Sequence, residues 1–158
     1  MDIILFFIFL LACGAAAVTG VVFKPGVWYE NLEKPAFTPP NWVFPIAWTS
    51  IYVLISFAGA RLAVVEGNAY AMAFWAAQAA LSTLWTPLFF GLHKMKAGLL
   101  AIVPLWLCVL GCLITAFWLD FWAGLAFIPY MVWVSIAVAL NFEVWRLNRK
   151  RGVIPSRP

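Results

Sequence analysis

The sequence is poor in charge. Of its 158 residues only 10% are Asp, Glu, Lys or Arg, against 66% hydrophobic, and mean hydropathy is +0.98. No water-soluble surface can be built from such a composition. Histidine occurs once, at His93, so a His/Cys metal cluster cannot be assembled and no metal site is expected. The three cysteines, Cys13, Cys108 and Cys112, all fall inside apolar runs. That argues against a disulfide framework, and buried cysteines of this kind usually act as small apolar side chains. All ten basic and six acidic residues lie at the ends of apolar runs or between them. Ion- and proton-driven transporters keep an ionisable group at mid-membrane, and none is found here. Nor can a Ser/His/Asp set, a carboxylate pair or a phosphate loop be gathered at depth, which speaks against hydrolytic and acid/base catalysis. The bases form no aromatic-interleaved soluble face, so nucleic acid is not an expected partner.

What is present is apolar length. Five stretches, 3–23, 43–65, 69–91, 97–119 and 121–145, reach the ~20 residues that a helix needs to cross the hydrocarbon core. They are continuously apolar and lack the alternation of a membrane β-barrel. The expected fold is an all-α membrane protein, a five-transmembrane-helix bundle forming one domain over 1–158. The first stretch, with Asp2 and no Lys or Arg before it, reads as a span rather than a signal peptide.

Charge orients the bundle. With the N-terminus outside and the C-terminus inside, Lys24, Lys34, Lys94, Lys96, Arg146, Arg149, Lys150, Arg151 and Arg157 fall on the inner side. Arg61 alone is outside, with Asp2, Glu66 and Asp120. Glu143 and Arg146, one turn apart, are expected to pair. The basic tail 146–158 is placed at the inner headgroups. Helical spans favour a bacterial inner membrane or, for an organellar protein, the mitochondrial outer membrane.

The loop 24–42 carries four prolines, Pro25, Pro35, Pro39 and Pro40, and four rings, Trp28, Tyr29, Phe37 and Trp42. An interfacial aromatic belt would use such rings. The proline constraint on φ favours a pre-shaped lid over an inner-side pocket. Three spans then present aromatic faces with polar punctuation. They are Phe44, Trp48 and Tyr52; Gln78, Ser82, Trp85 and Phe89; and Pro129, Trp133, Ala137 and Asn141. Trp48 and Trp133 lie deeper than headgroup anchoring requires, which points to an internal pocket. In the third span Ala69, Ala73 and Ala77, flanked by Ala76 and Ala80, form a small-residue seam suited to close helix approach and a homodimer, or to packing within one chain.

Three motifs occur in order. They run from Trp28-Tyr29-x-x-Leu32-x-Lys34-Pro35 through Pro39-Pro40-x-Trp42-Val43-Phe44-Pro45-x-x-Trp48-Thr49, then Trp85-Thr86-Pro87-Leu88-Phe89-Phe90-Gly91, then Pro129-Tyr130-x-x-Trp133 followed by Leu140-Asn141. With them the chain resembles the TspO/MBR family of tryptophan-rich sensory and translocator proteins. The resemblance implies five helices around a pocket for porphyrins (protoporphyrin IX or haem), sterols and benzodiazepine-site ligands, with no obligatory cofactor. It places Trp28, Phe44, Trp48, Trp85, Trp133 and Ala137 against the tetrapyrrole; Tyr52, Ser82 and Asn141, from the aromatic faces, complete the expected site. Flat rings suit a planar ligand, and Lys24 or Lys34 would meet its carboxylates. For light-dependent porphyrin oxidation, Trp48 and Trp133 are the redox candidates. Ser82 replaces the family's usual Asn, Ala36 stands where some relatives have Trp, and Phe142 replaces the Tyr of the weak sterol pattern over 138–146.

Overall fold

The structure is a computed structural model describing residues 2–149, so Lys150, Arg151 and Arg157 of the basic tail lie outside the described residues. Its helices are α1 (Ile3–Val22), α2 (Val27–Glu30), α3 (Val43–Leu62), α4 (Ala69–Thr86), α5 (Met95–Leu119) and α6 (Phe121–Asn148). Four of them, α1, α3, α5 and α6, are long and apolar enough to cross a membrane, making this a multi-pass membrane protein. The stretch 69–91 divides into α4 and a π-helical turn, Pro87–Gly91. Pro87 supplies no N–H to the preceding turn, and its own carbonyl accepts from Leu92, five residues on, at 2.8 Å.

The long helices close into a ring in the order α1, α3, α6, α5, α4 and back to α1. Lipid supplies no hydrophobic drive between helices, so close packing must hold this ring together. Phe rings seated on glycines provide part of it. A methyl group at Gly59 (α3) would lie 2.8 Å from the Phe9 ring (α1), and one at Gly111 (α5) 2.7 Å from that of Phe74 (α4). The outer surface is apolar, with Ile4, Leu11, Val18, Leu100 and Trp118 all exposed. A chain in water would bury them; lipid accepts them.

At one end Asp120 joins three helices. Its Oδ1 accepts from Ala123 N at 2.8 Å as the N-cap of α6, and both carboxylate oxygens accept from Arg61 of α3, at 2.8 and 2.6 Å. The Arg61 guanidinium holds the Asp120 carboxyl below its ordinary value, overcoming the opposing effect of burial. Its stabilising effect is therefore complete above pH 3.8 and is lost as pH falls through the depressed value. Asp120→Ala is expected to cost about 1–2 kcal/mol, cap and ion pair together, read as a lower unfolding midpoint at pH 7; at a pH below both values the two proteins should converge. The one ion pair expected from sequence, Glu143 with Arg146, forms too, Arg146 Nη2 lying 2.6 Å from Glu143 Oε2.

Candidate ligand-binding site

The aromatic faces converge at the opposite end of the ring. Phe44, in the first turn of α3, meets Trp133 of α6 edge-on at 5.5 Å. Trp85, in the last turn of α4, stacks on Phe89 with centroids 5.3 Å apart and planes 12° from parallel. The Trp85 indole N–H donates to Asn141 Oδ1 at 3.0 Å, while Asn141 Nδ2 donates to the Met95 carbonyl at 3.1 Å. One buried amide thus ties α4, α5 and α6.

The loop 24–42 folds over this end. Its α2 turn, unforeseen from sequence, drives Tyr29 between Phe89 and Phe90 at 6.3 and 5.3 Å, and burial pushes the phenol pKa up. Lys34 sits 4.6 Å above the Tyr29 ring and donates to the Glu30 and Leu32 carbonyls at 3.1 and 3.4 Å. It is engaged within the loop rather than free for a ligand carboxylate, whereas Lys24 is exposed. Asn148 fastens the loop to α6: its Oδ1 accepts from Glu33 N at 3.0 Å and its Nδ2 donates to Glu33 O at 2.9 Å.

Phe44, Trp85, Ala137 and Asn141, all expected site residues, line one crevice together with Tyr29, Phe89 and Phe90. Its volume is about 40 Å³, enough for roughly one water molecule. The described conformation is therefore closed, with Tyr29 of the lid and Phe89 and Phe90 of the π turn filling the space. Trp133 borders it through Phe44, and its indole N–H is buried with no hydrogen-bond partner among the described residues. Trp28 stands outside the crevice, stacked on His93 at 4.4 Å and edge-on to Phe89 at 5.7 Å. His93 holds φ +55°, a left-handed backbone that brings its ring into this stack.

Trp48, Tyr52 and Ser82 belong to a deeper layer. The Trp48 ring contacts Tyr52 at 5.6 Å and Tyr130 at 6.1 Å, and Ser82 is buried beside both tyrosine hydroxyls. Tyr130, wholly buried, donates to Gln78 Oε1 at 3.0 Å, and Gln78 Nε2 has no partner among the described residues.

The sequence reading did not assign to the site Tyr29, Phe89, Phe90, Leu140 and Val144 of the crevice lining, Asn148 of the lid tether, or Tyr130 of the deeper layer. The buried face of α6 includes Phe127, Tyr130, Val134, Asn141, Val144 and Asn148; of the expected register Asn141 lies on it, Ala137 lines the crevice and Trp133 borders it, while Pro129 is exposed. Helical spacing from Asn141 would have found Asn148, seven residues on. Among the described residues no group that could hold a metal forms.

Comparison with known proteins agrees with this architecture. The profile of the TspO/MBR family matches residues 6–146. The chain is 52% identical to the tryptophan-rich sensory protein of Cereibacter sphaeroides over 151 residues, 96% of each chain. It is 47% identical to protein CrtK of Rhodobacter capsulatus, covering 94% of this chain and 95% of that one. Against the human translocator protein identity is 27%, over 77% of this chain and 75% of that one. With matching motifs, an all-helical membrane architecture and full-length likeness, the chain belongs to the TspO/MBR family of membrane sensory and translocator proteins.

Proposed function

We propose that the chain is a five-span receptor or carrier, N-terminus outside and C-terminus inside, that binds a porphyrin in the lidded crevice and serves tetrapyrrole homeostasis and stress regulation. The observation that carries this reading is the convergence of Phe44, Trp85, Ala137 and Asn141, from three helices, on one aromatic crevice under the 24–42 loop. Flat rings with few polar groups suit a planar, largely apolar ligand. The fifth span is α4 with its π turn, whose 69–91 length suffices despite Gln78. The bacterial relatives support a bacterial membrane.

Titrating intrinsic tryptophan fluorescence with protoporphyrin IX tests the site. Saturable quenching is expected, weakened about tenfold or more in Trp133→Ala and in Trp48→Ala, the latter by loosening the deeper layer in which Trp48 packs against Tyr52 and Tyr130. No saturation, or equal quenching in all three proteins, would sink the pocket.

Porphyrin photo-oxidation by dioxygen at Trp48 and Trp133 is a second reading, favoured by Trp48 lying in a ring cluster with Tyr52 and Tyr130. Illuminating the complex decides it: porphyrin absorbance must fall faster than for free porphyrin and for the Trp-to-Phe variants. Three interactions accompany the main proposal. The seam residues Ala69, Ala73, Ala76 and Ala80 are exposed and Ala77 is half-buried, which suits a homodimer through α4. Sterol would meet the exposed Phe142 rather than a Tyr; benzodiazepine-site ligands would share the crevice.

A further inference from the structure

The lid has two faces, and the outer one is unsuited to water. Tyr29 turns inward, while Val27, Phe37 and Trp42 are 71%, 53% and 66% exposed, continued by the exposed Ile46 in the first turn of α3. Isolated exposed rings need no explanation, but four large apolar groups in one proline-constrained stretch of twenty residues do. Around them stand cations. Lys24, Lys94, Lys96, Arg146 and Arg149 are exposed at this end. Arg146 is occupied by Glu143 and Arg149 lies over Trp145, but no ion pair among the described residues involves Lys24, Lys94 or Lys96. Six described cations face three acids here, Glu30, Glu33 and Glu143.

We infer that the outer face of the lid is a docking surface for an anionic phospholipid bilayer: Val27, Phe37 and Trp42 enter the headgroup region while Lys24, Lys94 and Lys96 engage lipid phosphates. The charge is complementary to an anionic leaflet, which attracts basic side chains held near its surface. Trp suits the boundary because its ring is amphipathic. A soluble protein partner is the competing occupant, but apolar groups interleaved with unpaired lysines beside spanning helices match an interface of acyl chains and phosphates. The lid is then held on both sides, by the crevice rings within and by lipid without.

The full chain in nanodiscs of phosphatidylcholine, with and without phosphatidylglycerol, tests this without any porphyrin. Amide hydrogen exchange over 24–42 is expected to slow about threefold or more when phosphatidylglycerol is present. In the triple variant Lys24→Glu, Lys94→Glu, Lys96→Glu that protection should vanish. Acyl chains brominated near the carbonyl should quench Trp42, read as the difference between wild type and Trp42→Phe. Exchange indifferent to phosphatidylglycerol in the unmodified protein overturns the proposal, as does protection that persists in the triple variant or a Trp42 emission untouched by bromine. Because no arm uses porphyrin, failure here is separate from failure of the crevice.

Discussion

Asn148→Ala is expected to open the lid without unfolding the bundle. Asn148 is 4% exposed and spends both ends of its amide on the Glu33 backbone, 115 residues away in sequence, while Nδ2 also reaches the Val144 carbonyl at 2.8 Å. Truncation removes both tethers at once. The freed Glu33 groups rehydrate on opening, so the closed lid should lose about 1–2 kcal/mol, roughly a tenfold rise in the open population. Hydrogen exchange over residues 27–34 should quicken by that factor while α5 and α6 keep their protection. Since the closed crevice holds only about 40 Å³, porphyrin association should also rise about tenfold, as expected when a scarce competent state becomes commoner. Unchanged exchange in the lid would show that its other contacts, those of the Trp28 and Tyr29 rings among them, hold it without the amide.

Asn141→Leu should weaken the whole end of the bundle. Asn141 is 3% exposed and its two bonds reach different helices, from the Trp85 indole N–H and to the Met95 carbonyl. Leucine matches its bulk but neither bond, leaving the half-buried Trp85 indole N–H on α4 without its acceptor and freeing α5 from its link to α6. Interhelical hydrogen bonds in membranes contribute about 1 kcal/mol each, and unpaired buried groups add to the loss, so about 2–3 kcal/mol is expected. There is little room for rearrangement, because a methyl group at Gly98 would already lie 3.1 Å from Asn141 Oδ1 and 2.8 Å from the Phe89 ring. A double-mutant cycle isolates the bond: in a Trp85→Phe background the loss should shrink by about 1 kcal/mol. Full additivity would mean the indole N–H contributes nothing.

The two variants separate what different kinds of information reveal. Asn141 was legible, because a polar residue inside an apolar run must find a partner or a cavity, and its spacing from Trp133 and Ala137 is helical. Asn148 was overlooked because, near a basic chain end, an amide looks like an ordinary interfacial residue. Trp28, placed in the site by its motif, stacks on His93 and reaches the crevice only through Phe89, a pairing between distant segments that a motif does not record. The α2 turn within the loop was likewise hidden, since Val27–Glu30 is too short for any periodic pattern to show.

Hydropathy alone settled the all-helical membrane class, because lipid admits only segments that satisfy their own backbone and those segments must be long and apolar. The three aromatic faces and the Glu143–Arg146 pair were legible for a related reason: both are local, governed by the 3.6-residue period within one helix. Tertiary structure decided everything that depends on neighbours. The ring order α1, α3, α6, α5, α4, the joining of Arg61 to Asp120 and the fastening of Glu33 by Asn148 all link residues far apart in the chain. So does the closure of the aromatic crevice, since whether facing rings enclose a cavity or fill it depends on how closely their helices approach, and glycines seated under phenylalanines set that distance.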